Sequence, residues 1–147
     1  MKKREILDFI NRNPVAYMAT VDGNKPHVRA MRTYRADENG IMFNMESPKD
    51  VYRELIKNPE VELCYYANGI QVRVSGRMEQ LTDLALKKEI VEDRPLFLAG
   101  LEKYGWDYVG IFILKHGKAS VLKWPLLEPG APKDYTDLWT FPRLGAC

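Results

Sequence analysis

VELCYYANGIQVRVSGRME, residues 61–79, sets two β-prone runs on either side of Asn68-Gly69. Asn-Gly supplies the positive-φ pair of a two-residue hairpin turn, so the two runs return antiparallel to one another. The second run alternates, with Val72, Val74, Gly76 and Met78 opposed to Gln71, Arg73, Ser75 and Arg77, the period of a strand with one buried face. Upstream, VAYMATV (15–21) passes through Asp22-Gly23 into a strand over 27–36. A turn at Asp37–Gly40 then returns the chain through IMFNM (41–45). Downstream, strands are expected at 109–115 and 118–124 around a turn at Lys115–Lys118. Parallel strands need long crossovers, which these tight connections exclude. The expected class is mainly β (α+β), a six-stranded antiparallel barrel with peripheral helices.

The helices fall between and around the strands. Ile6, Phe9 and Ile10 share one helical face over 2–13, and Asn13-Pro14 ends it. Val51, Leu55 and Ile56 give a second helix its apolar stripe, stopped at Asn58-Pro59. A third follows Thr82 through Leu84, Leu86, Ile90 and Val91, and a short fourth lies within Pro95–Tyr104. The 147 residues read as a single domain, 1–147, with 125–147 as a C-terminal arm whose Tyr135, Trp139 and Phe141 are expected to dock on the barrel or on a partner chain.

Composition removes several function classes. A net charge of +2 is too small to argue for a nucleic-acid partner, although Tyr65, Tyr66, Trp106, Tyr108 and Trp124 offer rings on which bases could stack. No run approaches the roughly 18–20 apolar residues of a membrane span. MKKREILDF does not read as a secretory signal, and Cys64 and Cys147 do not form a disulfide framework, so the expected setting is cytoplasmic. His27 and His116 have no ligand partners at metal-site spacing, so no metal is expected. No nucleophile–base pair stands out, and the catalytic residues are left unassigned.

The stretch HVRAMRTYRADENGIMFNMESPK (27–49) holds the chemistry. Ser47 suits an N-cap and Pro48 the first helical position. Lys49 in the first turn opposes the helix dipole, at a cost of about 0.3–1 kcal/mol that a bound anion would reverse. Arg29 can add a forked donor. Two readings stand side by side: a phosphate site made by Arg29, Ser47, Lys49 and the helix amides, or an ordinary cap beside a solvated strand arginine. Arg73 likewise reads either as part of an exposed face or as a cation beside a bound ring.

Residues 14–124 resemble the FMN-binding split barrels of the pyridoxamine 5′-phosphate oxidase-like family. NPVAYMATVDGNKPHVRAM is similar to the family's opening hairpin, IMFNMESPK to its Ser-x-Lys phosphate turn, ELIKNPEVELCYY to its helix-to-strand passage, and QVRVSGRME to the strand whose polar face meets the flavin. The resemblance implies a six-stranded split barrel with FMN as cofactor. It places Arg29, Ser47 and Lys49 on the phosphate, and Ala30, Met31, Arg32, Phe43 and Asn44 along the isoalloxazine. Gln71 and Trp124 would reach the flavin from the other subunit of a homodimer. PLLEPGAPKDYTDLW lacks the arginine and histidine pattern of the vitamin B6 oxidase itself, so the implied activity is closer to the small flavin reductases and nitroimidazole-resistance-like members. Hydride or electron transfer to a small organic acceptor is the expectation. The alternative is a non-catalytic flavin, deazaflavin or haem module in stress response.

Overall fold

The structure, a computed structural model, describes residues 1–123 and 134–137, the latter in backbone only. Helix α1 (Lys3–Arg12) buries Ile6, Leu7, Phe9 and Ile10 on one side. It stops at Asn13 because the residue before a proline is driven out of the helical region. Then come β1 (Val15–Asp22), β2 (Lys25–Arg32), β3 (Arg35–Asp37), β4 (Gly40–Glu46), α2 (Asp50–Lys57), β5 (Glu60–Ala67) and β6 (Ile70–Leu81). Helices α3 (Leu84–Asp93) and α4 (Leu98–Tyr104) precede β7 (Val109–Lys123) and β8 (Asp134–Asp137). The Asn-Gly hairpin forms as read: Ala67 pairs with Ile70, and Asn68 and Gly69 both have positive φ, 51° and 75°.

The sheet runs β2-β1-β5-β6-β7-β4-β3, with β8 added against β7. The expected class is present, but the count of six strands is corrected to seven on this open path, with β8 beside it. Two local events account for the difference. The strand expected over 27–36 divides at Thr33-Tyr34, where the Thr33 amide donates to the Pro14 carbonyl and the next amide to Met42 on β4, each at 2.7 Å. The chain thereby steps from one sheet edge to the other within two residues. Nor is there a turn at Lys115–Lys118: β7 continues through it as a single 15-residue strand. An extra residue is absorbed there as a bulge, since Gly76 pairs with Gly117 while Met78 pairs with Leu114.

Apolar side chains from α1, α2 and the sheet fill the barrel interior, among them Ile10, Phe43, Leu55, Leu63, Tyr65, Val74 and Phe112. A second core lies on the opposite face of β4 and β7, where Met42, Ile111 and Ile113 meet Ile90, Val91 and Phe97. Both faces of β4 are therefore covered, and Gly40 through Met45 are all buried. Gly40 starts that strand at φ +139°, and a Cβ there would lie 2.5 Å from the Leu114 carbonyl oxygen. Gly40→Ala is expected to cost about 2–3 kcal/mol, read as a fall in Tm of roughly 5–10 °C. Of the proposed arm 125–147, the structure describes the β8 backbone, antiparallel to β7 with Lys118 opposite Asp137. Trp124, Trp139 and Phe141 lie outside the described residues, as does the side chain of Tyr135.

Candidate functional site

β2 sends its residues to two sides, and the expected site residues divide with it. Ala30 pairs with Tyr17, and Tyr17 with Cys64, so Ala30 and its same-face neighbour Arg32 lie on the outer surface. Gln71 faces the same way on β6. Arg29 and Met31 point to the other side, opposite Met18 and Ala16. Arg73 also lies on the outer face, where it holds Glu62 with Nε 2.7 Å from Oε1, as an exposed-strand arginine does.

Arg29 approaches α2, as expected, but arrives at its middle. Its Nη2 donates to Glu54 Oε1 at 2.5 Å and its Nη1 to Thr20 Oγ1 at 2.6 Å. Thr20 in turn donates to the same carboxylate oxygen at 2.5 Å. Glu54 is only 2% exposed. Burial alone would raise its pKa, yet the hydrogen bonds from Thr20 and Arg29, the Arg29 charge and His27 together hold it below the ordinary carboxylate value. The guanidinium is thus already engaged with an internal anion. Glu54 was missed in the sequence, although a signal existed: it interrupts the apolar stripe of Val51 and Leu55, and a charge on a buried face must be paired.

The start of α2 also differs from the cap that was read. Ser47 donates its backbone N–H to the Tyr108 carbonyl at 2.9 Å, and the Lys49 N–H closes a turn onto Glu46 at 3.1 Å. The Ser-Pro pair is therefore used in that turn, and the N-cap is Lys49, with no side-chain capping bond. Among the described residues the amides of Asp50 and Val51 have no acceptor and the Lys49 ammonium has no ion pair. Ser47, Lys49 and Arg29 therefore converge on one helix, the first two at its N-terminus and the third one turn along.

A second polar group gathers around Asn44. Phe43, its neighbour, is fully buried in the barrel core opposite Phe112, so its ring lines no surface and only its backbone can serve a ligand. Asn44 points the other way and is 7% exposed. Its Oδ1 accepts from Arg94 Nη1 at 2.8 Å, while Nδ2 has no partner. Arg94 ends α3, donates more weakly to the Thr33 carbonyl at 3.4 Å and lies 5.3 Å from the Tyr34 ring centroid. Burial, and then the nearby Arg32 charge, draws its pKa below the usual arginine value. Thr33 Oγ1 and the buried Tyr65 hydroxyl share a hydrogen bond of 2.7 Å beneath this cluster. Nothing in the sequence around Arg94-Pro95 marked that arginine, because its partners come from β4 and from the Thr33-Tyr34 link between β2 and β3. Among the described residues no three His, Cys, Asp or Glu side chains converge as metal ligands, and no helix is long and apolar enough to cross a membrane.

The family model described as pyridoxamine 5′-phosphate oxidase matches residues 3–96, well over half of the chain. The chain belongs to the pyridoxamine 5′-phosphate oxidase-like family. Solved structures place its fold with other members. A NimC/NimA family protein from Clostridium acetobutylicum has a TM-score of 0.73 at 19% identity, over 92% of this chain and 93% of that one. A protein from the same organism related to general stress protein 26 gives 0.69 at 14%, over 92% and 94%. A pyridoxamine 5′-phosphate oxidase-related, FMN-binding protein from Nostoc punctiforme gives 0.60 at 17%, over 90% and 86%. No curated protein sequence matches this one. Among the described residues, two sets of donors in the β2–β4–α2 region lack acceptors, the Asp50 and Val51 amides at the start of α2 and the buried Asn44 amide on β4.

Proposed function

We propose that the chain is an FMN-binding flavoprotein that passes hydride or electrons to a small organic acceptor, working as a homodimer with the flavin between subunits. The observation that carries this reading is the start of α2. A lysine is its N-cap, unpaired among the described residues, beside two amides without acceptors, an arrangement that is unfavourable until an anion arrives. Ser47 and Lys49 would hold the phosphate, with Arg29 beside them. The backbone of β2 from Ala30 to Arg32 and β4 at Phe43–Asn44 would flank the ring. FMN itself supplies the redox chemistry, and the protein supplies placement and electrostatics.

The purified full-length chain is expected to carry flavin absorbance or to quench FMN fluorescence on titration. Lys49→Glu is expected to weaken FMN by at least about tenfold, since it reverses a charge at the phosphate, and to leave riboflavin binding unchanged. A chain that neither retains nor quenches FMN would refute the reading.

The partner surface proposed is the outer face of β1, β2 and β5. Val28 is 69% exposed and Tyr17 54%, next to Val15 and Tyr66, a concentration of apolar area that commonly marks an interface. Sedimentation velocity is expected to give a dimer for the native chain and a monomer for Tyr17→Glu/Val28→Glu, with FMN affinity falling alongside. A native monomer that binds FMN fully would remove the shared-site part of the proposal.

A further inference from the structure

The Asn44 amide is held at one end only. Its Oδ1 is fixed by Arg94 at 2.8 Å, and its Nδ2, shielded from water, is the one buried side-chain donor or acceptor among the described residues without a partner. An amide donor left unpaired in this way costs about 1–3 kcal/mol. Arg94 also decides which way the amide faces, because flipping it would set an N–H group against a guanidinium that has only donors. The guanidinium is steadied in turn by the Thr33 carbonyl and the Tyr34 ring. Elements distant in sequence thus hold one neutral amide in one orientation with its donor vacant.

We propose that Arg94 is a positioning residue, which locks the Asn44 amide so that its N–H serves an acceptor atom of the planar heterocycle bound beside β4. The inference rests on the flavin reading above and adds to it what orients the donor, and what that donor does. Carbonyl and imine atoms of such a ring gain negative charge when it is reduced. A donor fixed against one of them therefore binds the reduced ring more tightly than the oxidised one. Arg94 acts through Asn44 and does not itself touch the ring.

The test is a double-mutant cycle on the full chain reconstituted with FMN, read by the two-electron midpoint potential. Arg94→Ala and Asn44→Ala are each expected to lower the ratio of reduced to oxidised FMN affinity by roughly five- to tenfold, tenfold being about 30 mV for this couple. The double variant is expected to fall no further than Asn44→Ala. An equal shift from Arg94→Ala in both backgrounds, or no shift in either, overturns the proposal. If Arg94→Ala does not fold, Arg94→Lys, which keeps the charge without the fork, is compared in the same two backgrounds by the same criterion. A chain that takes up no FMN overturns the flavin reading and this inference together, whereas a flavin-loaded chain with additive shifts overturns this inference alone.

Discussion

Arg29→Ala is expected to lower the free energy of unfolding by about 3–5 kcal/mol, measured by urea denaturation at pH 7, because it strands a buried carboxylate. Glu54 loses a charge-assisted hydrogen bond and its counter-ion together, and Thr20 alone remains to hold it. The lower end of that range is favoured, since the Arg29 side chain is 23% exposed and water can enter where it stood. The native pair also leaves a pH signature. The Glu54 pKa is lower in the folded than in the unfolded chain, so its contribution is fully present above the unfolded carboxylate pKa and is lost as the pH falls through the folded value. The native midpoint should therefore drop on acidification below about pH 4.5. In Arg29→Ala this dependence should flatten or invert, because an unpaired buried Glu54 prefers its proton. Replacing both partners by apolar residues, Arg29→Met with Glu54→Leu, is expected to restore stability to near the native level. A single variant as stable as the native chain, with an unchanged acid profile, would show that the pair carries no weight in the fold.

Phe43→Ala is expected to cost a further 3–5 kcal/mol or so by the same measurement, through lost burial and the cavity left behind. Phe43 is fully buried, sits opposite Phe112 across the β4–β7 ladder and lies in the core that α1 and α2 close. The milder Phe43→Leu separates packing from binding. It is expected to lose about 1 kcal/mol and to leave the flavin spectrum and affinity unchanged, since the ring faces the core. Loss of FMN without loss of stability in Phe43→Leu would mean instead that the aromatic ring meets the cofactor.

How far the fold could be read from the chain depended on whether the deciding information was local. The Asn68-Gly69 hairpin and the end of α1 at Asn13-Pro14 are set by a few neighbouring residues, and both stand where they were read. The N-terminal end of α3 was equally local: Asp83 accepts from the Leu86 amide at 3.0 Å, one residue after Thr82. The break at Thr33-Tyr34 depends on amides finding Pro14 and Met42, partners that no local pattern specifies. Lys115-His116-Gly117-Lys118 has turn composition but became a bulge, because β6 is long enough to pair on both sides of it. The candidate site divided in the same way. Ser47 and Lys49 adjoin the start of α2, as their spacing suggested, while the neutralisation of Arg29 by Glu54 and the fixing of Asn44 by Arg94 are contacts across 25 and 50 residues.

The irregularity in β7 has a consequence for any attempt to shorten or splice this chain. Before it, the even-numbered Phe112 and Leu114 point into the barrel; after it, the odd-numbered Ala119 and Val121 do. One surplus residue therefore resets the strand's in–out phase halfway along its length. Removing a single residue between Leu114 and Gly117 would leave two steps of β7 opposite the two from Gly76 to Met78, so the bulge closes and both halves keep their partners and their inward faces. Removing two would leave β7 one residue short there and turn the distal half over, with Lys118 and Ser120 toward the interior and Val121 toward solvent. The tolerance of this strand to deletion should thus follow odd and even numbers rather than the amount of chain removed.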